Sequence, residues 1–271
     1  MDIQFAAKVY CNKAEKINYL IWSLCIIAAV LSIVVKYENN FYLLFCIIIE
    51  ITAFFLQLLM DYYTSLFSTF RNSFDRYVLF DKDYFFSNKE VSHLTSVKKR
   101  KDYFSQINNN GNLKPPGVKD WYELNGNYEY SEIDAIIECQ KQNKYWTTEL
   151  MRIKFLITNV IFIIFLILFI FIAKMNSIKV ITLLFSTIAL ILKILERGIT
   201  NLKYLNEIPI LDGIIESACL NGNYEQVNLI QTHIDNLRKM PIYGMNIIHK
   251  ISASKTSEKY RNIQQLKKPL K

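Results

Sequence analysis

Apolar residues in this chain are pooled into long blocks, and polar and charged residues fill the gaps between them. Four blocks reach spanning length: Ile17 to Val35, Phe41 to Met60, Phe155 to Ala173 and Ile178 to Leu195. A helix rises about 1.5 Å per residue and the hydrocarbon core is about 30 Å thick, so about 20 apolar residues cross it. Lipid offers no partners to the backbone, so each block is predicted to be helical. A buried core helix could explain one block, but not four that come in two tight pairs. The pattern predicts an all-α membrane protein built from two transmembrane hairpins, four spans in all, with a helical cytoplasmic region. Lys179 and Lys193, near the ends of the fourth block, can reach the interface by snorkelling. The first block is longer than a signal-peptide core. It runs into Lys36-Tyr-Glu-Asn-Asn rather than a small-residue cleavage site, so it reads as a retained span.

Beyond the blocks the period is helical. Leu59, Tyr63, Leu66, Phe67, Phe70, Phe74, Tyr77 and Val78 recur at three- and four-residue steps, which extends the second span to about Phe80. Ser131-Glu-Ile-Asp134 has the form of a helix start. The stripe Ile133, Ile136, Ile137, Gln140, Trp146, Leu150 and Ile153 then leads into the third span. Between them, Lys98 to Asn127 is dense in Asn, Gly and Pro and is predicted to be an irregular linker. After Leu195, Ile199, Leu202 and Leu205 continue the period. An antiparallel pair follows, Pro209 to Leu220 and Tyr224 to Met240, with Val227, Ile230, Ile234 and Leu237 as its buried stripe. The resulting division is 1–60, 61–154, 155–195 and 196–271.

Charge sets the orientation. Three Lys/Arg precede the first span, 14 lie in the middle segment and 11 in the tail, against Lys36, Lys174 and Lys179 at the two short turns. The bias puts the N-terminus, the middle segment and the tail in the cytoplasm of a multi-pass inner-membrane protein. The middle segment is nearly balanced, and the basic end Lys267-Lys268-Pro-Leu-Lys271 reads as a solvated tail beside an anionic leaflet rather than a nucleic-acid site. Five scattered cysteines without C-x-x-C spacing fit free thiols in a reducing compartment, and three distant histidines argue against a metal site. No phosphate-binding loop, dinucleotide fingerprint, zinc-protease motif or nucleophile elbow occurs, so no catalytic residue or cofactor is expected and the chain is read as a non-enzyme.

Glu50 falls in the middle of the second span, where a carboxylate costs about 3 kcal/mol or more. Gln57 lies two turns on along the same face. Two readings stay open: Glu50, Gln57 and Asn159 line a pore, or a protonated Glu50 bonds Asn159 and holds the helices together.

The two-plus-two spans, Arg71-Asn-Ser-Phe-Asp75 with Tyr77-Val-Leu-Phe80, Val118-Lys-Asp-Trp-Tyr122, and Cys139-Gln-Lys-Gln-Asn143 with Trp146 and Leu150-Met-Arg152 stand in a characteristic order. In these features the chain resembles the SMODS-associated four-transmembrane effectors of bacterial CBASS antiphage defence. The resemblance implies activation by a cyclic oligonucleotide, followed by pore formation, disruption of the inner membrane and abortive infection. It transfers no ligand residues. A physical assignment gives base stacking to Trp121, Tyr122 and Trp146, and phosphate contacts to Arg71, Lys119 or Arg152. The plainer role for these residues is to fasten the cytoplasmic helices, above all for Trp146 on its apolar stripe. One copy supplies four helices, too few to enclose a wide channel, so a homo-oligomer is expected in the bilayer. The alternative from another class is a constitutive membrane scaffold or small transporter subunit without nucleotide control.

Overall fold

The computed structural model describes residues 1–34, 40–111, 113, 117–122, 124, 129–173, 187–240, 259, 260 and 262. Among these the regular elements are helices: α1 (Asp2–Val34), α2 (Asn40–Phe80), α3 (Asn88–Lys98), α4 (Tyr103–Asn108), α5 (Glu132–Ala173), α6 (Ile188–Asn221) and α7 (Tyr224–Arg238). The fold is all-α. Two helices are long and apolar enough to cross a membrane, within Asp2–Leu31 and Leu44–Phe80, and Phe155–Ile167 adds a shorter apolar stretch. The turns at Lys36 and Lys174, and the fourth predicted span up to residue 186, lie outside the described residues.

α1 and α2 pack along each other over most of their length. On their first section Ala14, Ile21, Cys25, Ala53 and Met60 close against Leu190 and Ile194 of α6. Outward, Phe54 and Phe55 of α2 are 60% and 63% exposed, and Ile163 and Ile167 of α5 are likewise turned outward. Exposed apolar faces of this kind mark contact with a membrane or with another protein surface.

Further along, Phe5 and Tyr10 of α1 meet Leu66 and Phe70 of α2, roofed by Val97, Tyr103 and Val118. A third core joins α5, α6 and α7 through Ile136, Ile137, Leu211, Ile215, Val227 and Ile230. The α7 stripe Val227, Ile230, Ile234 and Leu237 is buried as its spacing predicts. At about 1.5–3 kcal/mol per buried side chain, that face docks a 15-residue helix that would be marginal alone.

Three local expectations change. The linker is not irregular throughout, because α4 forms inside it. Val118 N–H donates to the Gln106 carbonyl (2.8 Å) and Lys119 N–H to that of Asn109 (3.0 Å), stitching residues 117–119 to the end of α4. No helix starts at Pro209: α6 runs through it. The ring removes one backbone bond, but Tyr204 before it and Leu211, Ile215 and Ala218 after it are buried in one core, and that burial outweighs the loss. Finally, α3 was not anticipated, although its capping box, Ser87 with Glu90, is plain in the sequence.

Candidate functional site

The C-terminal section of α2 presents Arg71, Asp75 and Arg76 toward the bundle. From α5 comes Asn143 and from α7 come Asp235 and Arg238. The loop after α4 brings Trp121 and Tyr122. Gly117 sets that loop so tightly that a Cβ there would lie 1.8 Å from the Asn109 carbonyl oxygen. Asp120 takes a left-handed φ of 51°, which turns the two aromatics back onto α2.

Asp75 is fully buried. Its Oδ2 receives Arg238 Nη2 at 2.6 Å and Asn143 Nδ2 at 3.3 Å. Its Oδ1 accepts from the Tyr122 hydroxyl at 2.8 Å and faces Arg71 Nη2 at 3.5 Å. Asn143 also donates to the Tyr122 oxygen (2.7 Å) and accepts from Arg71 (3.2 Å). Beside this set, Asp235 accepts Arg76 at 2.8 Å and Gln231 at 2.8 Å, and Gln231 in turn accepts from Gln140 of α5. Burial pushes the Asp75 carboxyl upward, but Arg238 and Arg71 outweigh it and hold the group below its ordinary value. Burial lowers Arg71 and raises the Tyr122 phenol, so Tyr122 stays a donor.

Arg71 is the centre of the aromatic wall. Its guanidinium carbon lies 4.3 Å from the centre of the Trp121 ring, and Trp121 meets Trp146 of α5 edge to face at 6.1 Å. Three enclosed donors in this corner have no hydrogen-bond acceptor among the described residues: Arg71 Nη1, Trp121 Nε1 and Trp146 Nε1.

The structure therefore brings together Arg71, Trp121, Tyr122 and Trp146 of the residues singled out from sequence. Lys119 is exposed and pairs through its backbone with Asn110. Arg152 lies further along α5, and its side chain is outside the described residues. The pore candidates lie on two helices, α2 and α5. Glu50 is half-buried on α2, and Asn159 is half-buried on α5, which packs chiefly on α6 and α7. Gln57 joins a polar group beside the first section. It accepts from Lys193 and donates to Asp61 (3.0 Å), while Lys193 pairs with Glu196 (3.0 Å). Next to this group a cleft of about 400 Å³ opens between α2 and α6, lined by Asp61, Thr64, Ser68, Glu196 and Lys239.

Asn143, Asp75, Asp235 and Arg238 were not singled out by function. Asp75 and Asn143 stood inside the quoted motifs, and the i, i+4 spacing of Arg71 and Asp75 was the available signal. No protein-family model matches the chain, and no curated protein and no solved structure matches it.

Proposed function

We propose that this chain is a membrane effector of antiphage defence, of the kind its sequence resembles, in which a cyclic oligonucleotide bound in the cytoplasm triggers disruption of the inner membrane. On this reading the chain crosses the bilayer four times with both termini inside, assembles with further copies, and performs no catalysis itself. The single observation that carries the proposal is helix continuity. α2 runs unbroken for 41 residues and α5 for 42, each with an apolar outward-facing section at one end and a contribution to the Arg71–Asp75–Asn143 junction at the other. Arg71 stands about 16 Å along α2 from Met60. A ligand that reorganises the junction therefore acts directly on two spans, with no loop between to absorb the movement. It shifts the equilibrium only by its differential affinity for the two arrangements.

The test is reconstitution of the full chain in dye-loaded vesicles, with a panel of cyclic di- and trinucleotides added on the cytoplasmic side. One of them is expected to bind and dissipate the potential. Binding by none, with a constant leak, would instead mark a constitutive membrane component. Orientation is checked by labelling single cysteines at positions 39, 177 and 110. Labelling from outside is expected at 39 and 177 only, and the reverse pattern overturns the topology.

A further inference from the structure

The geometry points to the corner of Arg71, Trp121 and Trp146 as a seat for a phosphate-type oxyanion, carried by a nucleotide or free in solution. This deepens the reading above and rests on it only for the molecule that bears the phosphate.

Three observations converge. First, Arg71 Nη1 and both indole N–H groups are enclosed with no acceptor among the described residues. An unmet buried donor is costly, and most so on a charged group. Second, the carboxylates nearby are already used. Both oxygens of Asp75 and both of Asp235 receive donors from Tyr122, Asn143, Arg238, Arg76 and Gln231. Third, Arg71, Arg76 and Arg238 face two carboxylates, Asp75 and Asp235, which leaves one positive charge in excess. The missing partner is thus an anion with several lone pairs.

The same geometry sets the role of the aromatics. One face of Trp121 is covered by the Arg71 guanidinium, and the two indoles stand at 89° to each other. They form no parallel pair to sandwich a base. They offer ring N–H donors, so the charged group of the ligand enters this corner and any base lies elsewhere.

Full-length protein in nanodiscs is titrated with inorganic phosphate, and separately with the cyclic oligonucleotide panel, by ³¹P NMR and calorimetry. Trp121→Phe and Trp146→Phe keep an aromatic ring and delete the N–H along with part of the indole, so melting curves separate lost packing from the lost donor. Each is expected to weaken phosphate binding by about ten-fold, the effect of one hydrogen bond to a charged group. Equal binding by wild type and both variants, or no phosphate binding at millimolar concentration, overturns the seat and leaves the donors to water. Phosphate binding that depends on the indoles, without binding of any cyclic oligonucleotide, upholds the seat and removes the proposed function. Nucleotide-driven depolarisation unchanged in both variants does the opposite.

Discussion

The sharpest consequence of the junction concerns Asp75 and Arg238. Arg238→Met removes the closest cation, 2.6 Å from Asp75 Oδ2, while keeping most of the side-chain volume. What remains at Asp75 is the Tyr122 hydroxyl, the Asn143 amide and Arg71 at a longer 3.5 Å. Breaking a buried pair from one side costs about 3–5 kcal/mol, because a charge is left uncompensated. The two neutral donors and Arg71 put this case at the low end, about 3 kcal/mol. Asp75→Asn combined with Arg238→Met removes both charges of the pair, so the double variant should lose clearly less than the sum of the singles. A coupling of about 2 kcal/mol is expected. Denaturant or thermal unfolding in nanodiscs gives the four stabilities. Hydrogen exchange on Tyr224–Arg238 separates undocking of α7 from global loss. An Arg238→Met cost below about 1 kcal/mol, or strictly additive singles, would refute the claim that this pair fastens α7 to α2.

Gly117→Ala should displace the loop that carries Trp121 and Tyr122, since the atoms it would meet are backbone and cannot swing aside; a loss of about 1–3 kcal/mol and a shifted tryptophan emission are expected, and unchanged emission would contradict the fit. His93 bonds the hydroxyls of Tyr10 and Tyr62, and burial, with Lys89 and Lys13 nearby, holds its pKa below the usual 6.5. The folded state then binds the proton less readily than the unfolded one, so stability is full above pH 6.5 and falls as pH drops below it. Melting curves of wild type and His93→Gln between pH 8 and 5 should therefore diverge only in the acid half. Glu50→Gln, at matched protein level, should alter ion selectivity of the depolarised membrane if Glu50 lines the path; wild-type selectivity would remove it from the pore.

The parts of the fold that periodicity reports were legible. The extension of α2 to Phe80 and the buried stripe of α7 followed from spacing, because one face of each meets a core and the other does not. α3 is equally legible in Ser87 and Glu90, whose spacing is a local capping signal. The junction was not, since spacing gives the face a residue occupies but not the partner that face meets. Arg71 and Asp75 could be paired at i, i+4, yet nothing local announces that Arg238 closes on Asp75 from the far end of the chain. Trp121 shows the same limit. A tryptophan in a polar loop reads as an anchor or a stacking platform. Only the arrival of Arg71 on its face reveals that its free feature is the ring N–H.

The long helices α2, α5 and α6 differ in Gly and Pro content, and on the proposed function that decides where a change at the junction goes. Neither α2 nor α5 contains Gly or Pro, whereas α6 contains Gly198 after its Lys193 contact with Gln57 of α2, and Pro209 and Gly213 within its packing on α7. A proline omits one backbone bond of the ladder, and Gly weakens a helix by about 1 kcal/mol relative to Ala. If the junction moves as proposed, α2 and α5 are expected to move as rods and α6, tied to α1 by Arg197 on Asn18, to bend. On the proposed function, stiffening α6 should oppose the response while favouring the fold. Gly213 has open space where a Cβ would go, so Pro209→Ala with Gly213→Ala fits without a clash. The pair is expected to raise the melting temperature by several degrees, to leave phosphate affinity at the junction unchanged, and to reduce nucleotide-driven depolarisation several-fold. Full depolarisation in a measurably stiffer variant would show that α6 does not bend, and that the spans respond by another route.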